Sequence, residues 1–319
     1  MPIVPLLLDD AAVTARFDLD TAIASQREAF RALGDGTARL APKALLSGDA
    51  DTALCYFSRL SSRHPAVCKV VSVNPGNPAR GLPSISATVL VLDPDTGAAA
   101  AVMDAATLTA VRTAAGSAVA ADALAADGPL DLGLLGSGVQ AREHARALAR
   151  VRAIAAVRLW SPDAGHRRAA AERISADTGL PVAAVDDPAA AVRGAGIVAA
   201  CTLSADPVVD TDAVAPGALV ISVGSFEKHR REVDAALLRR AGRIVVDDVA
   251  AATATAGSVR AGLAEGVMTE DDLVPLGAVV TGRAPGRTDP GEIIFYNSVG
   301  LGVQDAAAAQ AVLDHDSPA

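Results

Sequence analysis

The sequence predicts an α/β protein with two domains, one of them a doubly wound parallel sheet. Three observations point to this class. The chain has 319 residues, which suffices for about two domains of ordinary size. From Leu130 onward, short apolar runs alternate with segments of helix length, as in parallel strands joined by helices. Before that point, residues 53–93 contain apolar runs with no helix between them, which indicates a separate α+β region.

Composition excludes several classes of protein. The formal net charge is −9 and Lys and Arg form no run, so the sequence lacks the basic footprint of a nucleic-acid-binding protein. No apolar run approaches the roughly 20 residues that span a bilayer, and Met1–Asp10 does not resemble a signal peptide. The three cysteines (Cys55, Cys68 and Cys201) are widely spaced, which favours free thiols in a reducing, cytoplasmic compartment over disulfides or a metal site.

Lysine and histidine are scarce enough to be considered one by one. Only three of the 28 basic residues are lysines, namely Lys43, Lys69 and Lys228. An ammonium group can lose its proton when buried and a guanidinium cannot, so these lysines are weak candidates for function. Four histidines have no catalytic partner that the sequence reveals, and we predict them at the surface: His64, His144, His166 and His315.

The first half of the chain predicts two helices around a block of strands. Asp18 or Asp20 caps a helix that runs to about Leu33. Three strands follow, over residues 53–60, 66–73 and 84–93, separated by turn-forming segments. An alanine-rich helix over residues 104–126 ends at Gly128-Pro129.

The second half predicts seven short strands separated by helices or loops, a pattern that indicates a sheet covered on both faces. The strands cover residues 130–135, 157–160, 182–185, 196–202, 218–223, 243–246 and 292–296. Helices are expected from the end of the first glycine-rich turn to about Ala149, over residues 164–178, and from Gly300 to about Leu313.

A dinucleotide-binding turn follows the first of these strands. Gly136-x-Gly138-x-x-Ala141 lies between a predicted strand and a predicted helix. The first glycine permits a tight turn, the second lets the backbone approach a pyrophosphate, and the small third residue allows close packing. The pyrophosphate would lie on the helix N-terminus. We therefore expect Gly136, Ser137, Gly138, Val139 and Gln140 to bind a nicotinamide dinucleotide.

The tip of the second strand bears on which dinucleotide is bound. NAD sites usually place Asp or Glu here, where it accepts a hydrogen bond from the ribose 2′-OH, whereas this chain has Ser161 with Arg167 nearby. A neutral tip with an arginine can accommodate a 2′-phosphate, so NADP(H) is favoured and NAD(H) is the alternative. In that alternative Asp163 serves as a displaced acid and the arginines lie on a solvated helix face.

Several motifs together resemble the ornithine cyclodeaminase/mu-crystallin family. They follow the family's order along nearly the whole chain: Lys69, the segment Asn77–Pro83, Val102–Ala115 with its Arg112-Thr113 pair, Gly136–Arg142 with Gly-Val-Gln-Ala, and Ser298-Val299-Gly300 with Asp305. The resemblance implies a homodimer. It further implies a Rossmann-type nucleotide domain (residues 126–296) inserted in a discontinuous α+β domain for substrate binding and dimerisation (residues 1–125 plus 297–319).

The family also implies a chemistry, hydride exchange between a nicotinamide and the α-carbon of a small amino or imino acid. In this family the residue corresponding to Arg112 binds the substrate carboxylate. Lys69 matches a lysine that binds the carboxylate or passes a proton to the nitrogen. Lys43 is a further carboxylate contact, and Ser84 supplies a hydroxyl contact.

The cofactor contacts implied by the resemblance lie in other segments. Thr113 lies close to the cofactor, and Ser298, Val299 and Gly300 approach the nicotinamide. Thr202 and Val223 end two predicted parallel strands and Gly224 follows the second, at the edge where open α/β sheets bind ligands. Asp305 belongs to the closing motif, and a supporting or helix-capping role is as well founded as a catalytic one.

Two departures from the cyclodeaminases decide between activities. This chain has Phe226 where they have an aspartate for the substrate's distal amine, and Tyr56 or a neighbour where they have a glutamate. Both aromatic residues are therefore expected to shape the substrate pocket. We predict an NAD(P)H-dependent reductase or dehydrogenase of a small α-imino or α-amino acid. An ornithine cyclodeaminase that makes proline and ammonia is one alternative, and a non-catalytic NADP-binding, crystallin-like protein is another.

Overall fold

The computed structural model describes residues 4–83 and 85–315, apart from the side chain of residue 78. The chain divides into two compact units, Met1–Thr113 with Leu301–Ala319, and Ala114–Gly300. The sequence placed these boundaries after residues 125 and 296. The first boundary instead falls inside a helix, a feature that a sequence pattern does not mark.

The described residues of the first unit form strands β1 to β7 and helices α1 and α2, and helix α3 leads from it into the second unit. In chain order they are β1 (Leu6–Leu8), α1 (Asp10–Arg16), α2 (Leu19–Gly34), β2 (Arg39–Leu40), β3 (Ala44–Ser47), β4 (Thr52–Arg59), β5 (Val67–Val73), β6 (Ile85–Leu92), β7 (Ala99–Asp104) and α3 (Ala106–Leu124), which continues into the second unit.

The second unit alternates strands with helices, and the last helix returns to the first unit. The elements are β8 (Leu130–Leu135), α4 (Val139–Val151), β9 (Ile154–Trp160), α5 (Ala164–Thr178), β10 (Val182–Ala184), α6 (Pro188–Val192), β11 (Ile197–Ala200), β12 (Leu219–Ser222), α7 (Ala235–Arg240), β13 (Arg243–Val246), α8 (Val249–Thr255), α9 (Gly257–Ala264), β14 (Leu273–Pro275), α10 (Leu276–Val280), β15 (Ile294–Asn297) and α11 (Gly302–Asp314).

The sheet of the first unit is mostly antiparallel. Its strand order is β1-β7-β6-β5-β4-β2, with β3 also paired to β4, and only β1 and β7 pair in parallel. One face buries Val89 and Met103, where α1 contacts β7, α11 contacts β4, β5 and β6, and α2 packs against α11. The two helices are joined by the Gln26 side chain, which donates to the Gln304 carbonyl at 3.1 Å. The register places Phe57 and Val70 on the opposite face, where they are 43% and 49% exposed.

The sheet of the second unit is wholly parallel, as predicted. Its order is β10-β9-β8-β11-β12-β15-β13-β14, so the chain winds outward from β8 in both directions. All residues of β11, β12 and β15 are buried, because helices cover both faces. Since all strands are parallel, their carboxyl ends meet at one edge, where open α/β sheets bind ligands.

Most predicted elements are present, but one helix begins later than predicted and several elements were not predicted. The helix predicted from residue 104 begins at Ala106, because β7 occupies Ala99–Asp104 and the Asp104 carboxylate accepts from the Ala106 N–H at 2.9 Å. The sequence did not predict β7, since its run of alanines has low strand propensity. The sequence also left β1, α1 and β3 unassigned.

The prediction that His144 lies at the surface is wrong. His144 is fully buried on the inner face of α4, where it contacts the Ser117 hydroxyl at 2.9 Å. Burial lowers the pKa of His144 to about 4, so the imidazole is neutral and structural.

Within the described residues, no helix combines the length and the apolar character needed to cross a bilayer.

Candidate active site

The first unit buries a cluster of three charged side chains that are far apart in sequence. Lys69 of β5 donates from Nζ to Asp305 Oδ1 of α11 at 2.7 Å, and Arg112 of α3 donates from Nε to the same oxygen at 2.9 Å. Their exposed fractions are 2% for Lys69, 6% for Arg112 and 1% for Asp305. The structure thus brings together the two residues predicted to be catalytic, and adds the carboxylate that holds them.

Strand alternation and small residues create this cluster. Lys69 lies between Val67 and Val71 in sequence and points to the face that α11 covers. Helix α11 can lie close to the sheet because its buried residues are mostly small, and a Cβ on Gly302 would approach Ser58 Oγ to 3.0 Å. The Asp305 side chain therefore reaches Lys69. It does not cap α11, so of the roles weighed for it the capping role is wrong.

Two polar atoms of the cluster have unused hydrogen-bonding capacity. Within the described chain, Arg112 Nη1 and Asp305 Oδ2 are buried and make no hydrogen bond. A buried donor or acceptor without a partner costs about 1–3 kcal/mol, so such atoms are typical of sites that bind a ligand or water. The Nη1 donor is free to pair with an anion, because only Nε of Arg112 is bonded to Asp305.

The electrostatics of the cluster centre on Lys69. Burial lowers its pKa to about 8, which Asp305 opposes and Arg112 reinforces. The group therefore loses its proton near physiological pH, unlike an ordinary surface lysine.

Tyr56 and Lys43 lie beside Lys69. Tyr56 is directly opposite Lys69 in the β4–β5 pair, and the Lys69 ammonium is 4.8 Å from the centre of the Tyr56 ring. The Lys43 ammonium is 5.8 Å from the same ring. Four residues predicted to bind substrate, Lys43, Tyr56, Lys69 and Arg112, thus belong to one unit. Of the other two residues predicted to line the substrate pocket, Ser84 lies outside the described residues and Phe226 belongs to the second unit.

The glycine-rich turn of the second unit has the form that a dinucleotide requires. Gly136 has φ +116°, and a Cβ there would lie 2.5 Å from the Cys201 carbonyl, so only glycine fits. Around Gly138, at the N-terminus of α4, no atom lies within 4 Å of a Cβ position, and no side chain caps the helix. The α4 N–H groups are therefore available to an anion. A cavity of about 410 Å³ beside the turn is lined in part by Ser137, Gly138 and Val139.

The tip of β9 bears on the choice between NAD(H) and NADP(H). Ser161 follows the strand, and the Arg167 guanidinium donates to the Ser161 carbonyl at 3.2 Å and pairs with Asp186. The Asp163 carboxylate caps α5 by accepting from the His166 N–H at 2.6 Å. Asp163 thus already has a structural partner, a point against its use as a displaced acid for the ribose.

The remaining cofactor candidates lie at the carboxyl edge of the parallel sheet. Thr202 follows β11, Val223 and Gly224 follow β12, and residues 298–300 follow β15. The predicted candidate in the first unit, Thr113, uses its hydroxyl to donate to the Thr109 carbonyl of its own helix at 2.7 Å.

Sequence reasoning missed two buried acids at this edge, Glu232 and Asp247. Asp247 directly follows β13, which was the only available signal. Glu232 lies in a loop without regular secondary structure, and the sequence does not distinguish it from the other charged residues of that loop.

Phe226 is uncharged, whereas the cyclodeaminases have an aspartate at this position to bind the distal amine of the substrate. The Arg230 guanidinium lies 4.8 Å from the centre of its ring and pairs with Glu227 at 3.0 Å. Glu227, the acid next to Phe226, is thus already paired, which gives no support to a replacement acid in this loop.

Comparisons with known proteins identify the family of this chain. Alanine dehydrogenase from Archaeoglobus fulgidus is 31% identical over 311 residues, covering 97% of this chain and 94% of that protein. Iminosuccinate reductase from Paracoccus denitrificans is 36% identical over 240 residues, covering 75% and 73%. The structure of Thermococcus litoralis Δ1-pyrroline-2-carboxylate reductase in complex with NADH and L-proline matches with a TM-score of 0.93 at 30% identity, covering 97% of both chains. A profile of the ornithine cyclodeaminase/mu-crystallin family matches residues 4–317, so the chain belongs to this family, as its motifs predicted.

Proposed function

We propose that this member of the ornithine cyclodeaminase/mu-crystallin family is an NAD(P)H-dependent reductase that acts at the C–N bond of a small α-imino acid. The observation that carries the proposal is the buried cluster of Lys69, Arg112 and Asp305, with a free guanidinium donor at its centre. Relatives named as imino acid reductases and as an alanine dehydrogenase support the same reaction class.

Arg112 and Lys69 would bind the substrate carboxylate. Arg112 Nη1 supplies a charge-assisted hydrogen bond, and the Lys69 ammonium supplies a second cation on the same side of Asp305. Lys43 adds positive charge near Tyr56. Because Asp305 Oδ1 holds both cations, the clamp is ordered before substrate arrives, and this lowers the entropic cost of orienting the α-carbon.

The dinucleotide would be held by the second unit. The turn from Gly136 to Gln140 would bind the pyrophosphate through the N-terminus of α4. When bound, the nicotinamide would supply the hydride. NADP(H) is favoured, because the neutral Ser161 and the cationic Arg167 suit a ribose 2′-phosphate, and NAD(H) is the alternative.

Lys69 would also supply the proton. Its pKa of about 8 leaves it charged at neutral pH, yet close enough to neutrality to release a proton to the substrate nitrogen. Arg112 cannot share this task, because a guanidinium stays protonated.

The first unit would also form a homodimer through the outer face of its sheet. This face exposes Phe57 and Val70, and Leu46 on β3 is 76% exposed. Contiguous exposed apolar side chains are typical of a protein interface. We expect Phe57→Arg to convert a dimer to a monomer in light scattering. A wild-type protein that elutes as a monomer would contradict the proposal.

Assays with purified protein separate the candidate functions. The protein is incubated with NADPH or NADH and iminopropionate (from pyruvate and ammonia), pyrroline-2-carboxylate or piperideine-2-carboxylate, and cofactor oxidation is followed by absorbance. The reductase proposal predicts oxidation with at least one of these substrates. Ammonia release from ornithine without net cofactor turnover would instead identify a cyclodeaminase. Cofactor binding without turnover of any substrate would favour a crystallin-like binding protein.

A further inference from the structure

Glu232 is a fully buried carboxylate that joins the ends of two neighbouring parallel strands. Its Oε1 accepts from the Thr202 N–H at 2.6 Å and from Thr202 Oγ1 at 2.9 Å, and so holds the segment after β11. Its Oε2 accepts from Ser222 Oγ and the Gly224 N–H, both at 2.7 Å, and so holds the segment after β12. The side chain is 0% exposed, and none of these contacts belongs to a helix or sheet ladder.

Asp247 does the same at the next pair of strands. It follows β13 and accepts through Oδ2 from the N–H groups of Val299 and Gly300, both at 2.8 Å. Its other oxygen accepts from the Asp248 N–H at 3.0 Å. Asp247 is 1% exposed and thereby fixes the turn that follows β15.

The two acids act at adjacent positions along one edge. The strands concerned lie side by side in the order β11, β12, β15, β13. The Asn297 side chain links the middle two by donating to the Ser222 carbonyl at 3.2 Å. Three consecutive loops at the carboxyl edge are therefore held by buried carboxylates, and these loops contain the cofactor candidates Thr202, Gly224 and residues 298–300.

We propose that Glu232 and Asp247 are positioning residues that hold the carboxyl-edge loops in the shape that binds the nicotinamide dinucleotide. This inference rests on the proposed function. Loops that are already ordered bind a ligand without the cost of ordering them at that moment, so losing these anchors weakens the affinity for the cofactor.

The contacts of Glu232 and Asp247 require the ionised carboxylate. A carboxylate accepts hydrogen bonds at both oxygens, whereas a carboxamide of nearly the same volume presents an NH₂ donor at one side. In Glu232→Gln this donor faces either the Thr202 N–H or the Gly224 N–H, and one loop loses its anchor.

The test is the affinity for NADH and NADPH, measured by titration of the cofactor's fluorescence at pH 8. Burial raises the pKa of Glu232 to about 7 and that of Asp247 to about 6, so both are largely ionised at this pH. We expect Glu232→Gln and Asp247→Asn each to raise Kd about tenfold, as for the loss of a hydrogen bond to a charged group. KM for the imino acid at saturating cofactor should change less than about threefold, since the substrate clamp lies on other elements.

A matched control separates positioning from loss of stability. Thr211→Val removes the hydrogen bond from Thr211 Oγ1 to Asp234 at 2.7 Å, also in the second unit. It should lower the unfolding midpoint and leave Kd for the cofactor unchanged. Ser222→Ala, which removes one of the four bonds to Glu232, is the milder variant should Glu232→Gln not fold, and should raise Kd about threefold to fivefold.

The outcomes are distinguishable. A wild-type protein that binds neither cofactor overturns the proposed function itself. Wild-type binding together with an unchanged Kd in Asp247→Asn and in Glu232→Gln (or in Ser222→Ala) overturns the positioning role. An equal rise of Kd in Thr211→Val would also overturn it, because a general loss of stability would then explain the effect.

Discussion

Lys69→Met tests both the chemistry and the electrostatics of the buried cluster. The substitution keeps an unbranched side chain of similar length and removes the ammonium group. Asp305 then has Arg112 as its only partner in the cluster, and the substrate loses one cation and its proposed proton donor. We expect kcat/KM for imino acid reduction to fall by a factor of about 10² to 10⁴, the usual contribution of a general acid. The Kd for the cofactor should not change, because the glycine-rich turn and the carboxyl-edge loops proposed to bind it lie in the other unit.

The same substitution should change how the unfolding free energy depends on pH. Lys69 has a pKa of about 8 in the folded protein against 10.5 for an ordinary lysine. Between these values the unfolded chain holds a proton that the folded chain has released, so folding stability rises with pH across this window. Lys69→Met lacks this contribution. The difference in unfolding free energy between wild type and variant should therefore shift by about 2 kcal/mol in favour of wild type between pH 7.5 and 9.5.

Urea unfolding at the two pH values and steady-state kinetics measure these effects. Lys228→Met is the matched control, because Lys228 is exposed and should change neither quantity. Wild-type activity in Lys69→Met would refute the catalytic role. A stability difference that does not depend on pH would refute the lowered pKa, whatever the activity.

Three further substitutions test other parts of the structure. Asp305→Asn leaves two buried cations without a counter-charge and should lower the unfolding free energy by about 3 kcal/mol in urea unfolding. The loss should be smaller above pH 8, where Lys69 has lost its proton. An unchanged unfolding midpoint would contradict this. Gly224→Ala places a Cβ 1.8 Å from the Thr202 carbonyl and should cost about 3 kcal/mol, so a wild-type Tm would be incompatible with the tight turn. Ser161→Asp should shift the ratio of kcat/KM for NADH over NADPH about tenfold or more toward NADH, and an unaltered ratio would argue against recognition at the β9 tip.

The parallel sheet could be predicted because its strands are fully buried. Such strands appear in a sequence as continuous apolar runs, and Leu219–Ser222 and Arg243–Val246 lie within or match the predicted ranges. The antiparallel sheet was only partly predictable. Its strand β7 (Ala99–Asp104) is rich in alanine, which packs equally well in a helix, so pairing with its neighbours β1 and β6 decides its conformation.

The site could be predicted as a set of residues but not as an arrangement. Family motifs identified Lys69, Arg112 and Asp305, yet their meeting at a single oxygen depends on how α11 lies against β5, which a sequence does not encode locally. Glu232 and Asp247 were missed for the same reason. A carboxylate in a loop is usually solvated, and only the tertiary fold shows that these two are buried against backbone N–H groups.

The scarcity of lysine gains a physical meaning at Lys69. This chain meets most of its needs for positive charge with arginine, since only three of its 28 basic residues are lysines. Within the cluster the two cations have different tasks. Arg112 must stay charged to hold a carboxylate, and a guanidinium does so at any physiological pH. A proton donor must instead have a pKa near the working pH, and burial can bring an ammonium there, as it does for Lys69 at about 8. Arginine at position 69 would preserve the charge and lose the proton transfer, so lysine there is a chemical requirement of the proposed reaction.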